Sequence, residues 1–308
     1  MLTIFTVPKP FRGHIEIIQR NAIQSWIKLN HQCEVILFGD EYGTNKVASE
    51  FGILHVPQVN LNEYNTPLVN SVFNSAQSMA KYPILCYVNT DIIFLSDFIR
   101  AVQTISQAMS RFLIVGQRWD LDLRDSLDFN KTNWEQNIRT AVVKHGKLHD
   151  IQGIDYFVFT NGLWGEIPPL SVGRAAWDNW MIYRARTLGI PVVDATQVTT
   201  VIHQNHDYSH HIKGRKGVYR GVEAKRNVKL IGGIYHAFNI RDSSHLLTSK
   251  GIKRATGIKY FRWRVERIPE LSPQLIPIAQ LIKAIQIVRT SLLMLGVKLK
   301  DLATGVKV

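Results

Sequence analysis

Apolar, β-favouring residues open the chain at Leu2–Val7 and stop at Pro8. After Gly13 and His14 the period lengthens. Ile15, Ile18, Ala22, Trp26 and Leu29 fall on one face and predict a helix. Glu34–Phe38 predicts a second strand, Asn45–Phe51 a helix, Ile53–Val56 a strand and Pro67–Met79 a third helix. Pro83–Val88 is a continuous apolar run, as expected of a strand buried on both faces of a mostly parallel sheet. A helix from Ser96 to Ser110 follows, with Ser96 placed to cap it, and then a buried strand at Phe112–Gly116. This alternation predicts an α/β fold with a Rossmann-type, doubly wound, mostly parallel sheet.

Residues 117–150 are polar, with Asp120, Asp122, Arg124, Asp125 and Asp128. They predict a long loop carrying one helix around Trp134–His145. Long loops in compact domains are often functional. Tyr156–Thr160 predicts a strand. Ala175–Leu188 predicts a helix with Trp177, Trp180, Met181 and Ala185 on its apolar side. Short strands are expected at Val192–Asp194 and Val198–Ile202. Beyond Leu275, the residues Ile278, Leu281, Ile282, Ile285, Val288, Leu292 and Leu295 recur at helical spacing, punctuated by Lys283, Arg289, Lys298 and Lys300. Such a helix either lies on a bilayer surface or packs on its own domain or a partner. The expected division is a large domain over residues 1–240 and a basic, partly amphipathic helical extension over 241–308.

Charge sharpens that division. Residues 1–212 hold 17 Lys and Arg against 19 Asp and Glu, whereas residues 213–308 hold 20 against 5. The excess of +13 therefore sits in the last third, which points to a polyanionic partner there: a membrane surface, a phosphorylated substrate or nucleic acid. With 45% hydrophobic and 20% charged residues, the chain is neither disordered nor fibrous. Its two cysteines, Cys33 and Cys86, lie in apolar segments and read as buried free thiols, which fits a reducing, cytoplasmic compartment. The N-terminus lacks the basic start of a signal peptide. No apolar run reaches the roughly 20 residues that span a bilayer.

Three places carry chemistry. The strand ending at Val88 delivers Asn89 and Asp91, hard oxygen ligands suited to Mg²⁺ or Mn²⁺ on a diphosphate. They are expected to share one side, since alternate residues face the same way. A carboxylate after a strand is also an ordinary turn residue or cap. His203 and His206, followed by Asp207, His210 and His211, form either a cluster that completes a metal sphere begun by Asp91 or a polar loop. Asp178 is expected in the first turn of a helix, between Trp177 and Trp180. It is either stabilised by the helix N-terminus or, partly desolvated, a general base with indole platforms for a sugar ring. Asp155, at the start of its strand, is the rival base. There is no Gly-rich phosphate loop, hydrolase elbow or zinc spacing.

Together these residues resemble the GT-A glycosyltransferases. Asn89-Thr90-Asp91 matches the family's metal-binding triplet, with Asn in place of the first Asp. The resemblance covers about residues 1–240 and implies a GT-A-like catalytic domain. It implies a catalytic carboxylate at Asp178, with His203 and His206 closing the metal sphere. It also implies nucleoside contacts from Thr6 to Pro8 at the end of the first strand, and from Asp40 after the second. Arg174 is expected to pair with a phosphate. The implied reaction moves a sugar from a nucleotide-diphosphate donor to an acceptor, with Mn²⁺ or Mg²⁺. The basic last third, not the resemblance, points to a membrane-associated acceptor such as a lipid-linked or cell-envelope glycan, and with the free thiols to a cytoplasmic location on the inner face of the membrane. Two competing readings remain. One is a nucleic-acid-binding or nucleotidyl-transferring protein using the basic third and Tyr260–Arg264. The other is a histidine-metal hydrolase built on His203 and His206.

Overall fold

The computed structural model describes residues 1–29, 33–207, 214–282 and 284–285. His210, His211, Lys283, Val288, Arg289, Leu292, Leu295, Lys298 and Lys300 lie outside them, as do the remaining residues from 286 onward.

The chain runs β1 (Leu2–Thr6), α1 (Gly13–Leu29), β2 (Cys33–Phe38), α2 (Thr44–Phe51), β3 (Leu54–Val56), α3 (Val69–Met79), β4 (Ile84–Val88) and β5 (Ile92–Ile93). It continues α4 (Ser96–Ala108), β6 (Leu113–Val115), β7 (Trp119–Leu121), α5 (Trp134–His145), β8 (Lys147–Leu148), β9 (Tyr156–Thr160), α6 (Trp177–Thr187), β10 (Val192–Asp194) and β11 (Ile202–Gln204). Then follow α7 (Gly214–Arg220), α8 (Val222–Leu230), β12 (His245–Thr248), β13 (Gly251–Arg254) and α9 (Ile258–Leu271).

Nine strands form the main sheet in the order β13-β12-β10-β6-β9-β4-β1-β2-β3. β3, β2, β1 and β4 are mutually parallel, and so are β6, β10 and β12. β9 runs antiparallel between β4 and β6, and β13 antiparallel at the edge. The expected mixed α/β, mostly parallel sheet is present. An antiparallel strand was not legible in the apolar run Tyr156–Thr160, because burial on both faces gives the same pattern in either direction.

Every residue of β1 is buried, and Phe5 lies at the centre of an aromatic cluster. It meets Phe73, Tyr87, Phe159 and Phe38 edge-on, with centroids 5.1 to 6.2 Å apart. Such pairs add about 0.5–1.5 kcal/mol each beyond their buried area. Trp177 joins the cluster edge-on to Tyr87 at 5.0 Å, tying α6 to the strand that precedes Asn89.

A second, four-stranded sheet has the order β5-β11-β7-β8. Within it β11 pairs antiparallel with β5 and parallel with β7. The segment expected to be loop and one helix therefore also supplies β7 and β8, too short and polar for a period-two signal. The strand expected at Val198–Ile202 is found at Ile202–Gln204. Ser96 is not the cap of α4. Leu95 takes that position without a side-chain cap, and Ser96 Oγ instead donates to Glu135 at 2.7 Å.

The chain divides into compact units Met1–Ala255 and Thr256–Val308. The first continues beyond the expected boundary at residue 240 because β12 and β13 pair onto the main sheet. In the second, α9 exposes Ile258 and Phe261, and helical residues 276–282 expose Ile278 and Leu281. No described helix is long and apolar enough to cross a membrane. Cys33 and Cys86 are free thiols, and burial pushes Cys33 up to about 11.

Candidate active site and metal centre

β1, β2 and β4 are parallel and end at one edge of the sheet, where ligands of open α/β sheets gather. Thr6 and Pro8 are buried at this edge and Asp40 is exposed just beyond β2. Thr6 Oγ1 lies 3.3 Å from Thr90 Oγ1, which ties the end of β1 to the segment after β4. That segment leaves strand geometry at once. The Ile92 N–H donates to the Asn89 carbonyl at 3.2 Å, and Trp26 Nε1 donates to the Ile92 carbonyl at 2.8 Å.

The turn takes Asn89 and Asp91 out of strand alternation, and the two side chains have different partners. Asn89 Nδ2 donates to Asp155 Oδ1 at 2.9 Å. Asp91 meets another set. Its Oδ2 lies 3.2 Å from Lys9 Nζ and 3.0 Å from His206 Nε2.

The histidines reach Asp91 through the small sheet. Register places His203 opposite Ile92 on β5 and Asp120 on β7. The Gln204 N–H donates to the Asp91 carbonyl at 3.1 Å. The Gln204 side chain, fully buried, donates to the Ile18 carbonyl at 2.7 Å and accepts from Asn21 at 3.0 Å. Thus α1 fixes β11 against the turn that carries Asp91. Asp91, His203 and His206 each offer a ligand atom, and these lie within 4.8 Å of one another.

Burial alone would raise the Asp91 carboxyl. The Lys9 ammonium, His206 and His203 outweigh it and hold Asp91 well below the usual carboxylate range. Asp91 Oδ1 is buried without a hydrogen-bond partner, as a carboxylate oxygen reserved for a ligand would be. One carboxylate and two imidazoles are a fitting donor set for a first-row divalent cation.

Behind this trio lies a second layer, in which Arg118 and His149, unmarked in the sequence, join Asp120 and Asp155. Asp120 Oδ1 faces His203 Nδ1 at 3.3 Å and Oδ2 contacts His149 Nδ1 at 2.6 Å. Arg118 Nε donates to Asp120 at 3.0 Å, and its Nη1 pairs with Asp155 at 2.5 Å. Against its desolvation, Asp155 and Asp120 push the Arg118 guanidinium up. Lys9, Arg118 and His149 carry no motif. They meet Asp91, Asp155 and Asp120 through folding across distant segments, and no local signal marks them.

Asp178 lies in the first turn of α6 as expected, and the Asn179 N–H donates to its Oδ1 at 2.9 Å. Burial pushes the half-buried Asp178 carboxyl up to about 7, with the Asn179 N–H opposing and Asp155 adding to the rise. Trp177 and Trp180 do not form open platforms for a sugar. Both are buried, 4% and 6% exposed, because the α6 face they occupy packs on the core. Arg174 is engaged by Glu223, Nε to Oε2 at 2.7 Å, and also donates to Thr66.

No family model matches the chain, and no curated protein does. Solved structures do resemble it. M. tuberculosis glucosyl-3-phosphoglycerate synthase is 12% identical with a TM-score of 0.45, over 77% of this chain and 80% of that one. S. aureus TarS 1-349 is 11% identical with a TM-score of 0.41, over 67% of this chain. The match spans 58% of that TarS fragment. The mannosyltransferase PcManGT from Pyrobaculum calidifontis, solved with GDP-Man and Mn²⁺, is 12% identical with a TM-score of 0.42, over 68% of this chain and 58% of that one.

Proposed function

We propose that the chain is a divalent-cation-dependent glycosyltransferase of the GT-A type, moving a sugar from a nucleotide diphosphate to an acceptor hydroxyl. One observation carries the reading: Asp91, His203 and His206 converge where β1 and β4 end, with a buried Asp91 oxygen left without a partner. Two imidazoles beside one carboxylate suit Mn²⁺ better than Mg²⁺. Asp91, His203 and His206 would hold the cation, which would also take up diphosphate oxygens. A cation held there would offset the charge building on the leaving diphosphate.

The chain's own residues do the rest. Asp178 is the proposed general base, since a carboxylate raised to about 7 is matched to taking a proton from a hydroxyl near neutral pH. Asp155 is proposed to position rather than to abstract, because Arg118 and Asn89 occupy its oxygens. Thr6, Pro8 and Asp40 lie along the edge proposed to hold the nucleoside. Arg174, paired with Glu223 on α8, is assigned to the scaffold instead of to a phosphate. The positive balance of residues 213–308 supports an anionic, membrane-associated acceptor such as a lipid-linked glycan, met at the inner membrane face.

The test is a thermal-shift screen of UDP-, GDP-, TDP- and CMP-sugars with and without Mn²⁺, since a ligand that binds the folded state raises its melting temperature. Turnover of the stabilising donor is then measured for Asp91→Asn. The reading is lost if that variant keeps manganese-dependent sugar transfer.

A further inference from the structure

Lys9 stands against two of the three ligand residues. His206 Nε2 lies 3.0 Å from Lys9 Nζ and 3.0 Å from Asp91 Oδ2. Lys9 Nζ is itself 3.2 Å from Asp91 Oδ2, so the lysine charge touches both ligand side chains at once. A divalent ion bound by Asp91 and His206 would meet the Lys9 charge both at the Asp91 carboxylate and at His206 Nε2.

The tether is as specific as the contact. Lys9 sits between Pro8 and Pro10, which fixes the backbone dihedral φ of both neighbours and disfavours helical backbone at Lys9 itself. Gln19, on α1 and buried, brackets its peptide groups. Gln19 Oε1 accepts from the Lys9 N–H at 2.7 Å, and Gln19 Nε2 donates to the Lys9 carbonyl at 2.8 Å. The backbone is held still while the four-carbon stem keeps its freedom. The Lys9 side chain is 28% exposed, so its head can swing outward.

We propose that Lys9 is a tethered cation competing with the divalent ion for Asp91 and His206, and that, once displaced, it pairs with the donor's diphosphate. This rests on the function proposed above. With Lys9 seated, the ion alone binds only to the fraction of molecules whose seat is free, so its apparent affinity falls by that fraction. The nucleotide diphosphate draws Lys9 off and opens the seat. Ion and nucleotide therefore bind cooperatively, and coupling of this kind is reciprocal.

The experiment is calorimetric titration of Mn²⁺ at one fixed pH, with and without a nucleoside diphosphate, into wild type, Lys9→Met, Lys9→Arg and Asp91→Asn. Folding of each is checked by circular dichroism. Lys9→Met is expected to bind Mn²⁺ alone about tenfold or more tighter than wild type, because the competitor is gone. It is expected to lose the enhancement that nucleotide gives. Lys9→Arg keeps the charge and is expected to stay within a few-fold of wild type. If Lys9→Met binds Mn²⁺ no tighter than wild type while Asp91→Asn abolishes binding, Lys9 is no competitor and only this inference falls. If neither wild type nor Lys9→Met binds Mn²⁺, the metal site itself is refuted and the inference goes with it.

Discussion

Asp120 faces His203 across the paired strands β7 and β11, with 3.3 Å between Oδ1 and Nδ1. With Asp120 on the Nδ1 side of the ring, Nε2 is the nitrogen proposed to meet a ligand. A carboxylate behind a metal-binding imidazole fixes ring orientation and raises its basicity. Asp120→Asn keeps the shape and removes the charge. Its affinity for Mn²⁺ is expected to fall by about 10- to 100-fold, read by titration against a fluorescent chelator. Unchanged affinity would mean His203 is not a ligand.

Asp178 yields a pH signature. A base with its carboxyl raised to about 7 is half ionised at neutrality, so turnover rises with pH and levels off above that point. Asp178→Asn is expected to lower kcat by about 10²- to 10⁴-fold and to remove the inflection near pH 7. A pH–rate profile that keeps the inflection in the variant would assign it to another group.

The same carboxyl links pH to stability. Folding raises its proton affinity, so the folded chain binds more protons than the unfolded one between about pH 4 and 7. Its stabilising share is complete below the unfolded value and is lost as pH climbs through the folded one. Wild type is therefore expected to lose stability relative to Asp178→Asn between pH 5 and pH 8, measured by urea denaturation. A constant difference would show that burial does not perturb the group.

Arg174 and Glu223 test the scaffold. Glu223 accepts from Arg174 at 2.7 Å and from Asn62 at 2.8 Å, and its side chain is 8% exposed. Arg174→Met leaves that carboxylate without its counter-charge. The expected loss is about 3–5 kcal/mol in chemical denaturation, as for other broken buried pairs. A variant of undiminished stability that binds nucleotide more weakly would return Arg174 to the phosphate role.

Ala176 caps α6 with φ of 81°, a conformation costly for a residue with a Cβ. Ala176→Gly removes the clash but frees the unfolded chain, so the expected gain is at most about 1 kcal/mol. A fall in melting temperature would contradict it.

Sequence pattern revealed long elements well and distant contacts poorly. The helix Trp134–His145 and the strand Tyr156–Thr160 stand where the sequence puts them, the first by its length and the second by its continuous apolar run. β7, β8 and β11 span two or three residues, too few for alternation, so the small sheet that brings His203 to Asp91 was hidden. Asp91, His203 and His206 were legible as a possible set because their side chains are metal-ligand types. Lys9 was not, since a lysine between prolines announces nothing until Gln19 and Asp91 close around it. Asn89 misled for a simpler reason: alternation holds only within a strand, and the strand ends at Val88.

The place of β9 has a consequence for how the chain is made. β4 has its N-terminal neighbour β1 early in synthesis, but its other edge is filled only by β9. Until Tyr156–Thr160 leaves the ribosome, a nascent chain folded through β4 carries an unprotected apolar edge, open to pairing with other chains. Asn89 waits over the same interval for Asp155, its side-chain partner. Closing the β4 edge and pairing Asn89 with Asp155 thus happen together, and a ribosome pause between those segments would leave both undone.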